Sequence, residues 1–134
     1  MLSAEDNALL TQVTGNAPMG QMMRRYWAPA CLAEEVAEPG CAPVRTTICG
    51  TKLIVWRDSN GELAVTDERC PHRLASLALG RNEDGGIRCI YHGWKFDGNG
   101  NCMDMPTEPG AHHFKERMKL PSYPVREAGG MIGT

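Results

Sequence analysis

Four residues of this 134-residue chain have the types and spacing to hold a metal centre. Cys70 and His72 flank Pro71, and Cys89 and His92 flank Ile90 and Tyr91; the pattern is C-x-H, sixteen residues, then C-x2-H. Two thiolates and two imidazoles suit a structural zinc, or a two-iron cluster in which histidines replace both cysteines on one iron. Structural zinc sites usually pair like with like, a C-x(2–4)-C beside an H-x(3–5)-H. Here each segment contributes one Cys and one His. That mixture suits a binuclear centre, one metal taking both sulfurs and the other both nitrogens, with zinc as the alternative. Pro71 stiffens the first segment, and Gly93 permits close backbone approach or positive φ in the second.

Such ligands need two loop tips brought together, and the surrounding sequence supplies strands to do it. "VRTTICGTKLIVWRDSNGELAVTDE" alternates β-branched and aromatic runs with turn residues, predicting strands near 43–49, 52–57 and 62–66. "GIRCIYH" predicts another strand, and "WKFDGNGNCMDM" a hairpin closed at Gly98-Asn99-Gly100. Pro106, Pro109, Gly110, Pro121 and Pro124 mark an irregular connection before a last strand from about Tyr123 into "GGMIGT". In front of the strands lies a helical arm. Ser3 and Asp6 form a capping-box-like start for a helix over about 4–13, and Pro18 suits a helix N1 position. Met19, Met22, Met23, Tyr26 and Trp27 are expected to bury against the body. The whole reads as mainly antiparallel β, one domain.

Composition narrows the partners. A net charge of −2 excludes the basic footprint of a nucleic-acid binder, and 42% apolar residues exclude global disorder. "MLSAEDNALLTQV" has acidic residues where a secretory signal has basic ones and no long apolar run, so neither export nor membrane insertion is expected. A cytoplasmic location follows, where six cysteines remain thiols or ligands.

"CPHR" followed by "CIYHGW" resembles the Rieske [2Fe–2S] motif. The wider text from Cys70 to Pro109, with "PMGQMMRRYWAPACLAEEV" before it, is similar to the Rieske domain of phthalate-dioxygenase-type, aromatic-ring-hydroxylating oxygenase large subunits. The resemblance covers nearly the whole chain. It implies a Rieske-type antiparallel β sandwich over 1–134, a helical arm at 1–27, and cluster loops at 70–73 and 89–94. It further implies that Cys70 and Cys89 ligate one iron, and His72 and His92 the other, of a single [2Fe–2S] cluster. Leu74 departs from the small or polar residue that many relatives carry after "CPHR".

The same resemblance implies partners: a flavin or iron–sulfur reductase as electron donor, and an oxygenase catalytic domain or subunit as acceptor in aromatic catabolism, with neither nucleic acid nor membrane. Respiratory-type Rieske loops carry an extra Cys each and a Ser after the second His-Gly. Both are missing, so a low potential, roughly −150 mV, is expected. A stand-alone Rieske ferredoxin is the alternative function. Oxygenase chemistry needs a mononuclear iron held by two histidines and a carboxylate. The remaining histidines, His112 and His113, are adjacent and read as surface loop, so the chain is not expected to oxygenate alone. Relatives continue beyond "EAGGMI" into a catalytic domain. Cys49 reads as a buried strand residue, and Cys31, Cys41 and Cys102 as structural. Arg73, Arg81, Arg88 and Lys95 read as solvated charges, with a docking face for an acidic reductase as the alternative.

Overall fold

The computed structural model describes every residue except Pro109 and Ala111, together with the backbone but not the side chain of His112. The arm comes first, as α1 (Ala4–Thr11) and α2 (Pro18–Met23). Ser3 caps α1: its Oγ accepts the Asp6 N–H at 3.0 Å and donates to the Asp6 carboxylate at 2.7 Å. β1 (Pro29–Leu32) follows, then β2 (Val44–Ile48), β3 (Thr51–Arg57) and β4 (Leu63–Asp67).

β2 and β3 pair from Val44↔Val55 to Ile48↔Thr51, which leaves Cys49 and Gly50 as a two-residue turn. Both have positive φ, 47° and 79°, the combination that two-residue hairpins favour. Cys49 is therefore a half-buried turn residue and not the buried strand residue expected. β4 pairs with β3, and β9 (Ser122–Tyr123) closes this sheet in the order β2-β3-β4-β9.

β3 reads as an unbroken apolar run because both of its faces are covered. Leu53 and Val55 point into one core with Cys31, Val36, Val65 and Ile132. Ile54 and Trp56 point into a second, with Ala64, Leu77, Ile87, Trp94, Phe96 and Leu120. The first core is closed by a sheet ordered β1-β11-β10, built from β10 (Arg126–Ala128) and β11 (Met131–Gly133). The single last strand expected after Tyr123 is thus three short ones, divided by Pro124 and by Gly129-Gly130, both glycines at positive φ.

The second core is closed by a four-stranded sheet of β5 (Arg81–Glu83), β6 (Gly86–Arg88), β7 (Lys95–Phe96) and β8 (Cys102–Asp104). β7 and β8 form the expected hairpin through Gly98-Asn99-Gly100. Gly100 has φ 78° and lies so close to the Leu120 carbonyl that a Cβ would collide with it. Leu120 in turn donates its N–H to the Gly100 carbonyl at 2.9 Å.

Two further expectations are corrected. His112 and His113 lie not in a loop but at the start of α3 (His112–Arg117), a helix that begins once Gly110 is passed. Pro109, expected as part of the irregular connection, lies outside the described residues. The arm does not bury its apolar residues: Met22, Met23, Tyr26 and Trp27 are 46–70% exposed. Arg24 ties it to the body by donating to the Cys49 carbonyl at 2.8 Å, and ties the arm to itself through the carbonyls of Val13 and Gly15 at 3.1–3.2 Å. Met23, Tyr26 and Trp27 line an open cleft of about 430 Å³ with Ile48, Leu53 and Tyr123. Among the described residues, no helix is long and apolar enough to cross a membrane.

Candidate metal centre

The four residues singled out by spacing sit on two hairpin tips, and the tips share one hydrogen-bond frame. In the first, an Arg69↔Ser76 bridge leads in; Cys70 N–H donates to the Ala75 carbonyl at 2.9 Å, and Leu74 N–H returns to the Cys70 carbonyl at 2.8 Å. In the second, Arg88↔Lys95 leads in; Cys89 N–H donates to the Trp94 carbonyl at 2.8 Å, and Gly93 N–H returns to the Cys89 carbonyl at 3.0 Å. The strand expected through "GIRCIYH" therefore ends at Arg88, because from Cys89 onward the backbone bonds within its own loop. The fifth residue of each frame has positive φ, 59° at Leu74 and 76° at Gly93. Glycine suits that conformation; leucine adopts it under strain.

The cysteines face inward. Cys70 is 1% and Cys89 3% exposed, and both belong to the same buried cluster, where Cys89 is a close enough neighbour to act on the Cys70 thiol. Burial pushes the Cys70 thiol up to about 12; the N–H groups of His72 and Arg73, aimed at its sulfur, act the other way. That is the setting of a sulfur that stays protonated unless a cation meets it, with backbone donors ready for its negative charge.

The histidines lie outward of the sulfurs. Their ring centroids are 4.6 Å apart at 65°. His72 stacks on Trp94 at 4.2 Å with planes 3° apart, and His92 lies 3.9 Å from Tyr91. Burial first, then the neighbouring His92 and Arg73, hold His72 below the ordinary histidine range, which favours the neutral ring a metal needs. Nδ1 of His92 is buried without a hydrogen-bond partner. A buried imidazole nitrogen with no donor or acceptor is costly unless something else meets it.

Two sulfurs side by side and two imidazoles side by side, with one orphaned ring nitrogen, fit a two-metal group taking two ligands at each end. Among the described residues, no three or more His, Cys, Asp or Glu side chains converge on one point. The other cysteines do not join the centre: Cys31 belongs to the opposite core, and the Cys102 thiol, raised by burial, donates to the Asp104 carbonyl at 3.6 Å.

Several residues that ligand spacing did not single out support the centre. Trp94, 2% exposed, donates its indole N–H to Thr107 Oγ1 at 3.1 Å and meets Phe114 edge-on at 6.1 Å. Glu68, 6% exposed, accepts from Ser76 at 2.6 Å and from Arg45 at 3.2 Å, joining the two sides of the first hairpin. The Ser76 hydroxyl above all, with Arg45 and Arg69, holds its carboxyl below the usual range. The basic face considered for docking is largely consumed internally. Arg88 pairs with Glu83 and Asp104, buried Lys95 with Asp84 at 3.7 Å, and Arg81 with Glu83.

Fold and site together define a small antiparallel β domain that carries two cysteines and two histidines on paired hairpin tips. Residues 26–124 match the Rieske [2Fe-2S] domain family, and the chain belongs to it. The family carries a [2Fe–2S] cluster and serves electron transfer. The chain is 52% identical over 132 residues to the phthalate 4,5-dioxygenase oxygenase subunit of Pseudomonas putida, matching 98% of this chain and 30% of that protein. It is 45% identical to the 3-chlorobenzoate-3,4-dioxygenase oxygenase subunit of Comamonas testosteroni, with the same shares covered. A crystal structure of dicamba monooxygenase with non-heme iron and dicamba superposes with a TM-score of 0.72 at 35% identity, over 81% of this chain and 32% of that one. The chain thus spans about a third of the length of the relatives it matches.

Proposed function

We propose that this chain relays single electrons through a [2Fe–2S] cluster held by Cys70 and Cys89 on one iron and by His72 and His92 on the other. The observation that carries the reading is the paired geometry: two cysteines buried in one cluster, and two imidazoles 4.6 Å apart. The cluster supplies one-electron redox chemistry; the protein supplies the rest. Backbone donors from His72 and Arg73 favour charge on the Cys70 sulfur. Trp94 fixes the plane of the His72 ring, and burial keeps water from the sulfurs.

Residues 1–134 form one such unit. Electrons arrive from a flavin or iron–sulfur reductase and leave for the mononuclear iron of an oxygenase catalytic domain or subunit acting on aromatic compounds, in the cytoplasm. The oxygenase names of the relatives favour this acceptor over free ferredoxin partners. The test is the visible and low-temperature EPR spectrum before and after dithionite, with iron, sulfide and zinc assayed. About two irons and two sulfides per chain, with the low-average-g signal of a histidine-ligated cluster, is the expected result. A colourless protein holding one zinc would overturn it.

A further inference from the structure

Each cysteine on the two tips is preceded by an arginine, and each arginine reaches the same point of its loop. Arg69 donates from Nη1 to the Leu74 carbonyl at 3.2 Å, and Arg88 donates from Nη1 to the Gly93 carbonyl at 2.6 Å. Both acceptors lie four residues after the cysteine, at the positive-φ position. The two clasps differ in support. Arg69 is exposed. Arg88 is 19% exposed at its side chain and is itself held by Glu83 Oε1 at 2.7 Å and Asp104 Oδ2 at 2.8 Å, which tie it to β5 and β8.

The second loop needs such support. Nδ1 of His92 makes no hydrogen bond within the protein, so its ring takes its orientation from the backbone and from contacts with Tyr91 and His72. The residue after it, Gly93, is packed so that a Cβ would lie 2.9 Å from Pro106 Cγ and 3.9 Å from Arg88 Nη1. The guanidinium thus closes a loop already seated on Pro106, one residue from the ring.

We propose that Arg69 and Arg88 are positioning residues that clasp the two ligand loops, with Arg88 the dominant one because Glu83 and Asp104 hold it in place. The inference rests on the reading of Cys89 and His92 as ligands, and it deepens that reading by naming what orients them. Groups that orient metal ligands typically change metal retention by 10–100-fold when removed.

The test compares R88M, R88K and R69M in the iron-loaded chain. Iron release to a ferrous chelator should be about tenfold faster in R88M, and two- to threefold faster in R69M. R88K, keeping one donor, should fall between R88M and wild type. The EPR g-values of reduced R88M should shift, a change that general loss of stability does not produce. In metal-free protein, the Cys89 and Gly93 amides should exchange with deuterium faster in R88M, while amides of β3 do not. Release rates and g-values of R88M within error of wild type would overturn the clasp. If R88M does not fold, E83A and D104A keep the arginine and remove one support each; unaltered iron release in both would equally overturn it. A wild type without iron or sulfide would sink the parent reading, and the amide exchange alone would then decide whether Arg88 closes the loop.

Discussion

Trp94 joins the stability of the core to the geometry of the centre, and a double-mutant cycle with Thr107 measures how. Its indole is buried in the core, stacks on His72 at 4.2 Å and donates to Thr107 at 3.1 Å. W94F keeps a stacking ring but removes the N–H and part of the buried surface. The hydrogen bond contributes about 1 kcal/mol. The lost packing contributes roughly another 1 kcal/mol, well short of the 3–5 kcal/mol of full truncation to Ala. With a urea m-value of about 2 kcal/mol/M, the loss of about 2 kcal/mol moves the midpoint down by about 1 M. T107V removes only the acceptor and should cost about 1 kcal/mol. T107V made in the W94F background should cost almost nothing, since the donor is already gone, giving a coupling of about 1 kcal/mol. Urea unfolding followed by far-ultraviolet circular dichroism, on metal-free protein, reads all four corners. Strict additivity, or a W94F midpoint equal to wild type, would refute the assignment. In the iron-loaded chain W94F should retain its iron and W94A should lose it faster, because only the latter leaves the His72 ring without a stacking partner.

Leu74 sits at φ 59° and is 66% exposed, so L74N gives up little burial and suits the left-handed conformation. It should raise stability by about 1 kcal/mol, measured by thermal unfolding. Glu68 has its carboxyl pKa lowered in the fold, chiefly by Ser76, so its contribution is present above the unfolded carboxylate value of about 4.3 and is lost as pH falls through the folded value. E68Q should therefore be less stable than wild type by about 1 kcal/mol at neutral pH, with the gap closing in acid; a gap constant across the range would contradict the ion's role. C102S should keep a full complement of iron, since the Cys102 thiol is engaged with the Asp104 carbonyl; iron loss on colorimetric assay would show that the ligand set is misassigned.

Much of the fold was legible because its signals are local. The β-branched and aromatic runs read as strands near 43–49, 52–57 and 62–66 fall on β2, β3 and β4, and the Gly98-Asn99-Gly100 turn and the Ser3 and Pro18 helix starts fall on the hairpin and helices they predict. The strands β1 and β5 were missed, and β9, β10 and β11 were merged into one, because each has only two to four residues, too few for a period. The arm was misjudged because apolar content predicts burial only where a surface exists to receive it: Met22 stays exposed, and Met23, Tyr26 and Trp27 meet an open cleft.

The sequence by itself determined the identities at the centre. Two Cys/His pairs at fixed spacing, stiffened by Pro71 and relaxed by Gly93, specify donor chemistry that no refolding alters. Only the tertiary structure decided how those donors meet. It brings the thiols of Cys70 and Cys89 together in the core, stacks His72 on Trp94, and leaves Nδ1 of His92 without a partner. It also turns Arg88 from a presumed surface charge into a clasp held by Glu83 and Asp104. The physical reason is that ligand type is a property of single residues. Ligand geometry depends on hairpins closed by long-range backbone bonds, and on braces such as Arg45–Glu68 and Trp94–Thr107 that join residues 13 to 23 positions apart.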